Sequence, residues 1–222
     1  MKKTEQDVAQ NIMGTNFFGI EKTIECLCGM RPPTREQEKF LEEIPFSEDV
    51  LYRVQKSHLL VVSFPCYNFF EILQDLDRRE YAKREERLLC EQSLNDKNLI
   101  SIISKESRNQ QASWSLIRKN LVKNSTSKNF EDQIDLLKRG KTLPSISIMV
   151  LSVIGHYLAT NERIFGKKYA RTSSLNLEGG RLSFGGFKPE SGLIILPSWD
   201  DEKRNYLGIP SAWMNTPQVS ST

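Results

Sequence analysis

Histidine and cysteine are scarce in this chain, with two and four respectively among 222 residues. So small a supply of imidazole limits the catalytic readings. His58 precedes an apolar run and His156 lies inside another, and both read as structural, hydrogen-bonded histidines. Cys26, Cys28, Cys66 and Cys90 form no C-x-x-C pair, and Cys26 and Cys28 point to different faces if helical. A disulfide framework is therefore not expected, and buried free thiols are. No H-E-x-x-H or paired Cys/His spacing marks a zinc site, and no Walker loop is present. Gly179-Gly180 and Gly185-Gly186 flank short strands rather than opening a helix, so they read as turns and bulges. The start, MKKTEQDVAQNIMG, lacks a signal-peptide core, and no apolar run approaches the ~20 residues of a membrane span. The expected compartment is cytoplasmic. Neither a cofactor nor a metal is expected.

What is present is ordinary for a globular chain that buries roughly 70% of its unfolded surface. The formal net charge is +3, too small to imply a nucleic-acid partner by itself. Residues 1–14 are polar and are expected to be frayed. Residues 15–165 read as a helical scaffold. Thr15-Asn16 offers a cap to a helix on Phe17, Ile20, Ile24, Leu27 and Cys28, stopped at Gly29. Thr34 with Gln37 forms a capping box, and Ser47 caps a helix with Glu48 and Asp49 in its first turn. His58–Phe64 is continuous, β-branched and closed by Pro65, which predicts one buried strand near 58–64.

A helix is predicted from Asn68 to Asp77, followed by the charge run DRREYAKREER, which reads as a solvated helical face. Between Asn95 and Gln111 the pattern leaves helix and strand both open. Trp114, Ile117, Arg118, Leu121 and Val122 predict a helix, with another on Phe130, Ile134 and Leu137. Ile146 to Ala159 is apolar nearly all round and should be the central core helix.

After Gly166 the pattern changes. A β-rich module is expected over 167–213, with runs at 181–184, 192–196 and 206–209, and a disordered tail over 214–222. Trp199, Asp200, Asp201, Lys203, Arg204, Asn205 and Tyr206 crowd the loop between the last two runs. Tyr and Trp supply rigid contact area, while Arg and Asn supply adaptable hydrogen bonds. Alternation would turn Ser183, Lys188, Glu190, Ile194 and Ser198 away from the core, free to vary.

The fold class is thus α+β: a mainly helical N-terminal two-thirds and a small antiparallel C-terminal module. The function expected is non-enzymatic binding of a protein or carbohydrate partner through Trp199 to Tyr206, with Lys188 and Ser183 beside them. Two alternatives remain open. One is a metal-dependent hydrolase or nuclease using Asp200 and Asp201. The other is a nucleic-acid binder using the basic face of Arg118, Lys119, Lys123, Lys128, Lys138, Arg139 and Lys141.

The stretches NFFGIE (16–21), IPFSEDVL (44–51), KSHLLV (56–61), WSLIR (114–118), NSTSK (124–128) and YLATNERIF (157–165) resemble an uncharacterised group of bacterial proteins of candidate-phylum and planctomycete type. Arg171, Ser173, Gly180, Arg181, Leu182, Gly185, Phe187, Gly192, Leu193, Trp199, Leu207 and Gly208 match positions fixed in that group. The polar and aromatic positions between them are similar to the variable regions of diversity-generating retroelement targets. That resemblance implies a diversified binding surface, carried on a C-type-lectin-like or sulfatase-modifying-factor-like β-rich module.

Overall fold

The computed structural model describes residues 3–27 and 30–214. Of the start expected to be frayed, residues 3–14 are structured, and residues 1 and 2 lie outside the described residues. β1 (Thr4–Glu5) leads into α1 (Gln6–Met13), whose Ala9, Ile12 and Met13 form a buried stripe at i, i+3 and i+4. Thr4 donates to the Phe46 carbonyl at 2.6 Å and Gln6 to that of Leu41 at 2.9 Å, tying this segment to residues forty positions on. Three apolar residues are enough to dock a helix whose remaining face is solvated.

Phe17 and Phe18 form a strand, β2 (Phe17–Phe18), rather than starting a helix; α2 (Ile20–Cys26) follows. The two rings point to opposite faces, Phe17 toward Trp114 and Phe18 toward His156, which a helix would not allow. Asn16 does not cap. Its amide donates to the Gln55 carbonyl at 2.6 Å and accepts from Lys119 at 3.3 Å. The stop at Gly29 lies outside the described residues. α3 (Arg35–Leu41) has the expected reciprocal box between Thr34 and Gln37. After β3 (Glu43–Ile44), which pairs with β1, α4 (Glu48–Val54) begins at Ser47, whose hydroxyl makes no cap bond. β4 (His58–Ser63) is buried at all six positions, as its unbroken apolar pattern requires.

α5 (Phe69–Arg84) runs through most of the charge run and ends at Glu85 in the left-handed region. Asp75 with Arg79 and Glu80 with Arg84 pair along its surface. α6 (Glu91–Asn95) and α7 (Lys97–Arg108) settle the ambiguous stretch as helix. Asp96 caps α7, accepting from the amides of Asn98 at 2.9 Å and Leu99 at 3.1 Å.

The helix predicted on Trp114 to Val122 is instead β5 (Ser113–Arg118), antiparallel to β4 with Leu60 opposite Leu116. Five of its six residues are buried, one face carrying Ser113, Ser115 and Ile117 and the other Trp114, Leu116 and Arg118; the alternation lasts only from Ser113 to Leu116, too short to outweigh the helical spacing that continues to Val122. α8 (Phe130–Ile134) is a single short turn capped by Asn129. α9 (Ile146–Thr160) is the central helix expected, capped by the Ser145 hydroxyl and buried on nearly every side.

β6 (Tyr169–Leu175), β7 (Arg181–Lys188) and β8 (Gly192–Ser198) form an antiparallel meander, and β9 (Leu207–Gly208) pairs parallel to β6. β10 (Ala212–Met214) then leaves this sheet and pairs with β5. Two four-stranded sheets result, β10-β5-β4-β2 and β8-β7-β6-β9. The strand at 58–63 therefore belongs to a sheet of its own inside the supposed helical scaffold, and the C-terminal segment completes that sheet. The tail expected over 214–222 starts inside β10, and from 215 on it lies outside the described residues. α9 contacts β4 of one sheet and β6 and β7 of the other, and a single apolar cluster runs through both. The fold is α+β, and among the described residues no helix is long and apolar enough to cross a membrane.

Candidate functional site

Residues directly opposite in an antiparallel sheet share a face. Ala170, Phe184 and Ile195 are opposite one another and face the core. The outer face of the second sheet therefore carries one row of Leu207, Tyr169, Gly185 and Ile194, and another of Arg171, Ser183 and Leu196. The loop from Trp199 to Tyr206 folds back over part of this face.

Arg171 holds the loop down. Its guanidinium is fully buried yet has no carboxylate within ion-pair distance among the described residues. Nη2 donates to the carbonyls of Trp199 at 2.7 Å and Glu202 at 2.6 Å; Nη1 donates to Gln133 Oε1 at 2.8 Å. Burial lowers its pKa, and the nearby carboxylates of Glu202 and Asp200 oppose that shift. More loop carbonyls accept from below: Asp200 from the Phe130 amide at 2.7 Å, Arg204 from that of Ser127 at 2.8 Å, and Tyr206 from that of Tyr169 at 2.8 Å. The Asn205 carbonyl accepts from Lys168 Nζ at 3.0 Å. The backbone is thus pinned on its inner side, which leaves the side chains to project outward.

Trp199 is 52% exposed and Tyr206 42%, with Asp201, Lys203, Arg204 and Asn205 also exposed. Asp200 is held by Arg181 at 2.8 Å, and that guanidinium lies 3.5 Å from the centre of the Phe130 ring. Glu202 accepts from Arg204 at 2.8 Å. With Asp200 engaged, the adjacent acids do not form an open pair. Among the described residues no three His, Cys, Asp or Glu side chains come together as a metal cluster.

Beside the loop is a groove of about 690 Å³. Its apolar floor is Tyr169, Ile194, Leu196 and Tyr206; Lys167, Lys188, Glu190 and Glu202 stand around it. The two tyrosines meet edge to face at 5.6 Å, and burial raises the Tyr169 phenol. Gly186 keeps the floor open. It has φ +58°, and a Cβ there would sit 2.6 Å from the Tyr169 hydroxyl and 3.1 Å from Ile194. At Gly185 a Cβ would lie 2.0 Å from the Lys168 carbonyl, so β6 and β7 require glycine to approach this closely. A register shift between Gly185 and Lys188 matches the bulge read from the glycine pair.

The structure therefore brings Lys188, Glu202 and Tyr206 to one groove, while Trp199 and the other loop side chains stand outside its lining. Ser183 is a correction. It lies on the outer face as alternation requires, but the loop covers it, and its hydroxyl bonds that of Ser198 at 2.7 Å. Ser198 is equally buried. Sequence reasoning missed Tyr169, Leu196 and Lys167. The alternation Tyr169-Arg171-Ser173 was the available signal, and it is masked because β6 is buried on both faces over much of its length. The basic face does not form as one helical surface, since the helix that would carry it is absent: Arg118 ends β5 and Lys119 pairs with Glu162 at 3.1 Å. His156 is structural as expected, bonded to Glu162 at 2.7 Å, and its pKa is lowered chiefly by burial.

Comparison with protein-family models, with curated proteins and with solved structures found no match to this chain.

Proposed function

We propose that this is a non-enzymatic binding protein that captures a protein segment or carbohydrate on the Trp199–Tyr206 loop and the adjoining groove. One observation carries the reading: the loop backbone is fixed from beneath by inward carbonyls while its aromatic and charged side chains face out. A loop ordered before contact loses little entropy on binding. The groove has the size of small-ligand sites, with an apolar floor and a few polar groups at its edge. Tyr206 belongs to both surfaces and Trp199 is the other exposed anchor.

Replacing Trp199 and Tyr206 together by alanine should abolish capture from a glycan or peptide array. Aromatic anchors of this kind each contribute about 2 kcal/mol or more, so affinity should fall more than about 30-fold per anchor. Circular dichroism and the melting temperature should stay close to those of the parent, because both side chains are exposed. Unfolding of the double variant would instead make Trp199 and Tyr206 structural residues.

We also read the loop as a diversified segment in a bacterial, cytoplasmic protein, on the resemblance and on the separation of a fixed backbone from outward side chains. The DNA flanking the gene should then encode a reverse transcriptase and a near-copy of the codons for Gly180 to Gly208 that differs only at adenines. Flanking DNA with neither would end the diversification reading while leaving the binding surface intact.

A further inference from the structure

A second constellation lies on the other sheet. His58 is opposite Arg118, and Trp213 is opposite Leu116, two residues before Arg118 on the same face. His58, Arg118 and Trp213 therefore stand together at one end of β4, β5 and β10. The imidazole stacks on the indole at 5.9 Å between centroids and 17° between planes. Lys141 Nζ lies 4.3 Å from the centre of the same indole. Lys138 is one turn away, its carbonyl accepting from the Lys141 amide at 3.0 Å.

Three cations converge here without a counter-charge. Among the described residues no carboxylate lies within ion-pair distance of Arg118, Lys138 or Lys141. Lys141 is lowered by burial and then by Arg118 and Lys138. Such like-charge crowding costs stability. His58 adds an independent observation. It is 6% exposed, and its Nδ1 meets the Ser57 hydroxyl at 2.8 Å, which itself donates to the Val54 carbonyl at 3.2 Å. Nδ1 is then the protonated nitrogen, leaving Nε2 buried with no hydrogen-bond partner. Burial, Lys141 and Arg118, in that order, lower its pKa to about 4. That Nε2 is one of eight buried side-chain atoms without a partner among the described residues, and buried polar atoms are ordinarily paired.

We propose that this corner is a binding site for the phosphate group of a small phosphate monoester. A dianion offers three oxygens to the Arg118 guanidinium and the two ammonium groups, and its two negative charges offset most of the three positive charges the cluster carries. With the anion in place, His58 gains a reason to hold a second proton, on Nε2. The site is compact and its members are half-buried or better apart from Lys138, which suits one terminal phosphate rather than a strand of diesters.

The test uses the full chain with Trp199→Phe, so that emission reports Trp114, which is buried, and Trp213. Inorganic phosphate is titrated at constant ionic strength. The proposal expects a saturable change in emission, weakened about tenfold or more by Lys141→Gln or Arg118→Gln, since each removes a charge-assisted bond. Lys138→Gln, at an exposed position, is the variant least prone to misfold and should weaken binding in the same direction. The His58 ring, followed by NMR, should titrate at higher pH with phosphate than without. No saturable response, an equal response to chloride, or a response unchanged in the Lys141→Gln, Arg118→Gln double variant would overturn the proposal. So would binding of a single-stranded oligonucleotide with no response to inorganic phosphate, which would make the corner part of a nucleic-acid surface.

Discussion

Arg171 is the residue on which the loop depends. A buried guanidinium without a carboxylate partner is costly, and here carbonyl dipoles meet the charge instead. Arginine suits this place because one planar fork reaches two loop carbonyls on one nitrogen and Gln133 on the other. Arg171→Met would keep the apolar stem and remove the cost of burying charge, but it would leave the Trp199 and Glu202 carbonyls without donors. Each buried orphan costs about 1–3 kcal/mol, so a net loss of about 2 kcal/mol is expected in the denaturant midpoint. An unchanged midpoint would show that the loop is held by other bonds. Ser183 depends on the same contact: it is fully buried beneath the loop that Arg171 retains, while Leu196 in the same row stays exposed in the groove.

Asp77 does similar work for an element. It is 1% exposed, on α5, and its Oδ1 accepts from the amides of Leu88 at 2.7 Å and Leu89 at 3.1 Å while Oδ2 accepts from Arg87 at 2.9 Å. Leu88 and Cys90 in turn bond the backbone of Leu193 in β8, so α5 anchors the edge of the second sheet through this carboxylate. Asp77→Ala should cost about 3–5 kcal/mol, as for a broken buried pair, with faster amide exchange at Leu193 before global unfolding. Protection at Leu193 equal to that of the parent would contradict this link. In sequence, Asp77 is one more charge in a run that reads as solvated, and only the turn it meets reveals its role. α9 was legible because fifteen residues apolar on all sides fit a buried helix, and the Thr34 box because its signature is local. β5 was not: Ser113-Trp114-Ser115-Leu116 alternates, but Ile117 and Arg118 break the pattern after four residues, and Trp114, Ile117 and Leu121 fall by accident at helical spacing. The start of the chain misleads in the other direction, because the stripe of Ala9, Ile12 and Met13 is thinner than its polar surroundings.

For the molecule as a whole, the path of the last forty residues decides what the surface can do. The loop joins β8 to β9, so both its ends are anchored in strands of the second sheet, and the chain then crosses to close the first sheet with β10. The crowding of Trp199 to Tyr206 was visible in the sequence; the groove was not, because Tyr169 and Leu196 reach it from strands that only the sheet register aligns. The proposed binding surface should be ordered before any partner arrives. Backbone order parameters for residues 199–206 in the free protein measure this directly. Values near those of a rigid backbone, about 0.85, are expected, with a clear fall in Arg171→Met. Values below about 0.6 in the parent protein would contradict the account, because the loop would then be ordered by its partner rather than by Arg171 and the strands beneath it.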